Sequence, residues 1–418
     1  MRLSLLSALF LLSTTAEAQT STYKTDLQQL KSILQNTASY KVQIKGEKLS
    51  QYNSLYQKLL SDSVNIMNTY DYFHNLSQLL FPLRDNHLGF YQVANYNHFK
   101  TKETIDSFIR TKEFSDYPSI QINFDSLRNE LAKKSVDSIE GIYYYVKYYS
   151  IGLFKSNGNE YTGVILDSDV NLWKKGQIAI HLTEYRPNLF KAIYVHPMFK
   201  NFILHPVEKY RNQTLVNSSF FGIYAQSIYT KLPGQVDYVN LPSGSRTFEL
   251  KNIQDDLQYL LIRSFQRNNT TSAKSLKFYD SIKNKLTNQN LILDLRNNQG
   301  GSKQESKKYF KLLKKYTKKG HLYILLNNET ISQAEILTLK LRKLKNVTTV
   351  GQTTKGMLSY GSNFGKRFKL PGGNFEIYPT DMKGKAKFLQ YEDYGITPEI
   401  FLHNNSEWVE QVIEIIRK

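Results

Sequence analysis

The sequence contains no cysteine at all. That excludes a thiol nucleophile, disulfide staples and thiolate metal sites together. Acidic residues are in deficit, with 36 Asp and Glu against 55 Lys and Arg and a formal net charge of +19. An excess of this size suits an anionic partner, but a binding face needs locally clustered charge, and the simpler reading is a Lys-rich solvated surface. No nucleic-acid partner is therefore expected. Beyond the N-terminus no apolar run reaches the roughly 18 residues of a membrane-spanning helix. Internal repeats, low-complexity linkers, His-x-x-x-His pairs and closely spaced carboxylate clusters are also missing, so neither a metal site nor a cofactor is expected.

What is present is ample apolar material: 40% hydrophobic and 13% aromatic residues over 418 positions. A chain this long outgrows a single hydrophobic core, and two or three structural units are expected. The N-terminus opens with Met1-Arg2, continues as an apolar run from Leu3 to Leu12 and reaches Ala16-Glu17-Ala18. This is the pattern of a secretory signal peptide over residues 1–18, with an A-x-A cleavage site. The mature chain is expected to start near Gln19, to be exported to the periplasm or the extracellular space, and to lack an integral membrane segment. Loss of Arg2 and Glu17 together leaves the net charge unchanged.

Three regions follow. Residues 19–115 read as helical, with Leu27, Leu30 and Leu34 and then Leu55, Leu59 and Leu60 at helical spacing. Residues 116–247 read as β-rich, with runs such as Gly141–Val146, Thr162–Leu166 and Gln177–Ile180 separated by turn clusters such as Ser156-Asn157-Gly158-Asn159. Tyr143, Tyr144, Tyr145, Trp173 and Tyr185 in this stretch suit sheet core better than a binding surface. Residues 248–418 alternate strand and helix, which predicts a largely parallel sheet covered by helices.

In such sheets chemistry gathers where strands end and helices begin, because backbone N–H groups converge there. One junction is Leu291–Gly301, a buried strand running into Asp294-Leu295-Arg296-Asn297-Asn298-Gln299-Gly300-Gly301. Asp294 and Arg296 suit a charge-assisted brace for this loop. Another is Leu325–Ile336, where Ser332 opens a helix and Ser332-x-x-Glu335 reads as a capping box. Further on stand Val350-Gly351-Gln352-Thr353-Thr354-Lys355-Gly356 and Gly395-Ile396-Thr397-Pro398-Glu399. In this order the four segments resemble the S41 serine peptidases, the C-terminal processing peptidase family.

The resemblance implies an α/β catalytic domain of ClpP/crotonase-like type over 248–418, behind the helical and β-rich regions, with Ser332 as nucleophile. In the processing branch a lysine base follows the glycine-rich element, where this chain has Met357, a thioether that cannot take a proton. Lys355 lies two residues earlier, off the motif. The branch that resembles the tricorn core protease uses a histidine in a Leu-x-Asp-x-His context, which Leu83-Arg84-Asp85-Asn86-His87 matches. His87 is thus the expected base, with Asp85 either orienting it or fixing the loop. Glu392, shortly before the last motif, is the expected orienting carboxylate. For the oxyanion the resemblance implies the backbone N–H of Gln333 together with one from Gly300 or Gly301. No carboxylate-binding PDZ loop is visible between the helices and the catalytic region.

These expectations describe an exported serine endopeptidase acting on peptides or unfolded proteins. Two rivals stand beside it: a catalytically inactive S41-fold peptide-binding protein, suggested by Met357, and a surface module binding acidic polymers, suggested by the +19 charge alone.

Overall fold

The computed structural model describes residues 21–66, 68–220, 227–362, 365–384 and 386–418. Residues 1–18, read from the sequence as a signal peptide, lie outside them. Among the described residues no helix is long and apolar enough to cross a membrane. The chain forms two compact units, one built from the residues up to Pro233 with Ser362–Gly384, the other from Gly234–Gly361 with Lys385–Lys418.

In the first unit the helical and β-rich regions share one body and one apolar core. Helices over 21–36, Ala38–Gln43, Glu47–Ser61 and Thr69–Gln78 open it. Their starts follow side-chain chemistry: Thr37 Oγ1 accepts the N–H of Tyr40, and Asn68 Oδ1 that of Asp71. The sheet has eleven strands, antiparallel throughout. Strand Phe202–Arg211 pairs with Leu189–Val195 on one edge and with Thr214–Leu215 on the other. Eight strands therefore close into a barrel, which removes the free edges an open sheet would expose. Its core is aromatic, with Tyr143, Tyr145, Tyr149, Tyr194, Tyr229 and Trp173 all buried. Buried phenols need partners: the hydroxyls of Tyr149 and Tyr229 meet at 2.7 Å, and Tyr194 donates to buried Glu208 at 2.7 Å. Tyr143, Tyr145 and Trp173 are thus core, as expected, while Tyr144 and Tyr185 are half-buried.

Residues 362–384, which sequence pattern assigns to the catalytic region, belong to this first unit instead. Their strand Phe375–Tyr378 pairs with Gly89–Gln92 because Phe375 and Ile377 complete the apolar core that Phe73 and Phe90 begin. The turn before it is tied to the first helix: Asp26 accepts the N–H of Gly372 at 2.7 Å and the hydroxyl of Tyr72 at 2.8 Å. His74, Glu160 and His181 also come together in this unit, their ligating atoms within 4.8 Å of one another. Residues so far apart in the chain show no ligand spacing in the sequence, which is why no metal cluster is visible there.

The second unit carries a mixed six-stranded sheet. Phe248–Gln254 runs antiparallel to Leu257–Ile262, and from there Asn290–Asp294, His321–Leu326, Val347–Gly351 and Ile400–Phe401 follow in parallel. The predicted parallel arrangement thus holds for part of a mixed sheet, and the large antiparallel barrel of the other unit is an addition to it. Both faces of this sheet are covered, which is why its strands read as continuous apolar runs. Leu291, Leu293, Ile324 and Leu326 pack against helices Asn269–Ile282, Lys303–Tyr316 and Gln333–Leu341, while Ile292, Leu325 and Val350 pack with Trp408 and Val412 of the C-terminal helix Trp408–Arg417.

Asp26 offers a test of the first unit. Burial raises its carboxyl above the ordinary aspartate range, although the Gly372 N–H and the Tyr72 hydroxyl pull the other way. A carboxyl with a raised folded-state pKa stabilises the fold most below its unfolded pKa, and that contribution is lost as pH rises through the folded value. The stability of the natural protein relative to Asp26→Asn should therefore decline as pH rises from below the ordinary aspartate range to above it. Urea unfolding across this range measures it, and a relative stability that increases with pH would contradict the assignment.

Candidate active site

Ser332 sits where strand His321–Leu326 gives way, through a short turn, to helix Gln333–Leu341. Its backbone has φ +57° and ψ −112°, a conformation that costs a side-chain-bearing residue about 1–3 kcal/mol and persists only where the surroundings enforce it. Three sets of contacts do so. Thr330 donates its hydroxyl to the Leu295 carbonyl at 2.8 Å and its N–H to the Asn327 carbonyl at 3.0 Å, fixing the turn to the neighbouring strand. The Ile331 N–H donates to the Asn298 carbonyl at 2.9 Å. The Ser332 N–H donates to Glu335 Oε2 at 2.8 Å, one half of the capping box read from the sequence.

Glu335 does more than cap. Its side chain is fully buried, and its two oxygens take four donors: Ser332 N–H (2.8 Å) and Met357 N–H (3.0 Å) on Oε2, Thr354 Oγ1 (2.6 Å) and Gly356 N–H (2.9 Å) on Oε1. Burial pushes this carboxyl above the usual range, and the four hydrogen bonds oppose the shift. The carboxylate joins the nucleophile turn to the glycine-rich loop at 351–357. That loop interlocks with the last motif: Thr354 Oγ1 also accepts the Ile396 N–H at 2.8 Å, and a Cβ on Gly395 would lie 2.0 Å from the Thr354 carbonyl oxygen. The two motifs recognised separately in the sequence are one physical assembly.

The paired glycines meet the same turn. A Cβ on Gly300, at φ +83°, would come within 2.7 Å of the Ile331 carbonyl oxygen and 2.8 Å of the Gln333 nitrogen, so only glycine lets this backbone lie against the nucleophile. The expected oxyanion donors are not equivalent. The Gly300 N–H donates to Asn298 Oδ1 at 2.9 Å, and Asn298 Nδ2 in turn donates to the Ile262 carbonyl at 2.8 Å. Gln333 and Gly301 have no acceptor for their N–H groups among the described residues. The Gln333 side chain points away, donating to Ser306 Oγ at 2.9 Å, which leaves its backbone donor at the helix N-terminus available to an anion.

Asp294 and Arg296 form a buried brace, as expected, with Nη2 to Oδ2 at 2.8 Å and Nε to both carboxylate oxygens. Burial works against the Arg296 charge, but Asp294 outweighs it and raises the guanidinium above its ordinary value. Tyr259 donates to the same carboxylate at 2.8 Å. Beside this pair lies an amide cluster that sequence reasoning missed: Asn327 Nδ2 donates to Asn297 Oδ1, Asn240 Oδ1 and the Val239 carbonyl, each at 3.1 Å. Asn297 and Asn327 stand at the C-terminal ends of adjacent strands, and that placement was the available signal.

Glu392 is buried, and its Oε2 accepts the N–H groups of Leu358 (3.0 Å) and Ser359 (2.9 Å). Its observed partners are thus backbone donors just beyond Met357. Met357 and Lys355 are both half-buried. His87 belongs to the first unit, half-buried in a turn that Asp85 fixes: Asp85 Oδ1 accepts the His87 N–H at 3.3 Å and Oδ2 the Thr380 hydroxyl at 2.7 Å. The loop-fixing role considered for Asp85 is what these contacts describe.

A strained serine at a strand-to-helix turn, with open backbone donors beside it, has the equipment for acyl transfer by a hydrolase. Residues 302–400, the segment that carries Ser332, match the family model of peptidase family S41. No curated protein sequence matches. Among solved structures, a lipoprotein from Streptococcus agalactiae is 23% identical over 41% of this chain and 70% of that one, with a TM-score of 0.30. The photosystem II D1 C-terminal processing protease is 14% identical, covering 95% and 97%, with a TM-score of 0.34. Mature CPAF is 12% identical, covering 95% and 97%, with a TM-score of 0.43. The likeness to peptidase family S41 is thus carried by the sequence of residues 302–400.

Glu335→Gln tests the anchor. Glutamine keeps the shape but turns an amide N–H2 toward two of the four donors, so unfolding free energy should drop by about 2–4 kcal/mol. Chemical denaturation reads this directly, and a loss under about 0.5 kcal/mol would show that the carboxylate does not hold the turn.

Proposed function

We propose that this chain is an exported serine endopeptidase that cleaves peptides or unfolded proteins through an acyl-enzyme on Ser332. The observation that carries the reading is the Ser332 backbone itself, held at φ +57° against its own strain beside the N–H of Gln333 and close against Gly300. His87 takes the Ser332 hydroxyl proton as the oxygen adds to the peptide carbonyl. The N–H groups of Gln333 and Gly301 receive the oxyanion; Gly300, whose N–H is committed to Asn298, acts by letting the backbone approach. Collapse of the tetrahedral adduct breaks the C–N bond, and the imidazolium returns its proton to the leaving amine. Water then repeats the cycle on the ester and frees Ser332. The choice of His87 over Lys355 rests on the Leu-x-Asp-x-His context and on the thioether at 357. Glu392 is assigned to orient the imidazole, alongside its bonds to the backbone at 358 and 359. Export rests on the pattern of residues 1–18.

A second reading, an inactive peptide-binding protein with this fold, is favoured by one observation: the position of the family's lysine base is held by Met357, whose N–H is bound to Glu335. One experiment separates the two. Purified mature protein is incubated with a denatured protein and a peptide library, alongside Ser332→Ala, His87→Ala and Lys355→Ala. Ser332→Ala and His87→Ala should each lose at least about 10³-fold in kcat, with Lys355→Ala within about threefold of the natural protein. Loss in Lys355→Ala with retention in His87→Ala moves the base to lysine. Absence of hydrolysis in the natural protein, with peptide still bound, supports the second reading.

A further inference from the structure

Three chemistry-bearing side chains in the first unit remain outside the peptidase reading: His74, Glu160 and His181. Strand pairing explains how two of them meet. His181 lies opposite Thr162 and Glu160 opposite Thr183 on neighbouring strands Glu160–Ser168 and Ile178–Arg186, so Glu160 and His181 are diagonal neighbours on one face. Helix Thr69–Gln78 brings His74 to them, with its ring centroid 4.7 Å from that of His181. The His181 Nε2 is 4.0 Å from Glu160 Oε1, too far for a hydrogen bond.

The polar atoms at this spot are poorly served by the protein. His181 is 8% exposed, and its Nε2 is buried without a hydrogen-bond partner. Thr183 Oγ1, on the same strand and face, is likewise buried and without one. Leaving a buried donor or acceptor unsatisfied costs about 1–3 kcal/mol. Such a group calls for a ligand the protein itself does not supply.

We propose that His74, His181 and Glu160 form a binding site for a divalent transition-metal ion, Zn²⁺ by preference. Two imidazoles and one carboxylate are a set of ligands that zinc accepts, with a water in the fourth position. Their ligating atoms, within 4.8 Å of one another, need to close by about 1 Å to reach zinc bond lengths near 2.0–2.2 Å, a movement within side-chain rotation. Hard cations are disfavoured, because Ca²⁺ and Mg²⁺ seek oxygen ligands and this site offers mainly nitrogen. The ion would clamp the helix carrying His74 to two barrel strands. The site is independent of Ser332 and of the peptidase reading.

The test uses the full mature protein, stripped with chelator and dialysed. Zinc chloride is titrated against a chromophoric competitor, and cobalt(II) chloride is followed by its visible absorption. The expected result is one equivalent of Zn²⁺ bound, a visible cobalt spectrum of four-coordinate intensity, and a melting temperature raised by several degrees at saturating zinc. Glu160→Gln and His74→Gln, both at half-buried positions, should keep the far-ultraviolet circular dichroism of the natural protein and weaken zinc binding at least about tenfold each. Serine-dependent hydrolysis, where present, should survive in both. If stripped natural protein binds no zinc at micromolar concentrations, or binds it equally well in the folded Glu160→Gln and His74→Gln variants, the proposal is overturned.

Discussion

One buried carboxylate ties together the serine turn and the glycine-rich loop of the second unit. Glu335 takes hydrogen bonds from the backbone at Ser332, Gly356 and Met357 and from the Thr354 hydroxyl. A charge in this position is costly to desolvate, and only a full set of donors offsets the cost. The donors come from two segments about twenty residues apart in the chain. The Ser332 backbone, in a conformation that glycine adopts more readily, is thereby coupled to the glycine-rich loop and through Thr354 to the segment at Gly395–Ile396. The active turn is rigid because several separate pieces of chain share one acceptor.

The sheet of the second unit supplies the platform. Its parallel strands end together, and at that edge side-chain amides and buried charges replace the water that exposed backbone groups would otherwise bind. Asn298 spans strand and turn, Asn327 gathers three acceptors, and the Asp294–Arg296 pair closes the adjacent loop. This polar edge leaves the Gln333 N–H next to Ser332 uncommitted, with Gly300 packed against the same turn. A site that must bind a transient negative charge benefits from donors fixed before the charge appears, since no reorganisation is then needed during reaction.

Much of this was legible in the sequence because it depends on local pattern. The strand–helix alternation from 257 to 351, the glycine pair at 300–301 and the serine at a helix start are all short-range signals, and their positions agree with the structure to within a few residues. Glu335 was legible as a cap but not as an anchor, since three of its four donors are main-chain amides that carry no side-chain signature. The barrel was legible only as a series of strands: closure depends on Tyr229–Thr230 finding Gly141–Tyr145, about 85 residues earlier, a pairing no periodicity reveals. The passage of 362–384 into the first unit was invisible for the same reason, as was the meeting of His74 with Glu160 and His181. Long-range placement is decided by complementary surfaces, not by spacing.

That excursion of the chain sets an order of events during synthesis. The turn bearing His87 is braced by Thr380, a partner 295 residues downstream of Asp85. A chain emerging from the ribosome therefore presents the helices and most barrel strands long before Phe375–Tyr378 arrives to finish their sheet, and the whole nucleophile segment up to Gly361 emerges in between. The last strands of the first unit and the last helix of the second become available only near the end of translation. A polypeptide that ends before Ser362 therefore carries the whole serine turn while each unit still lacks a segment of its own.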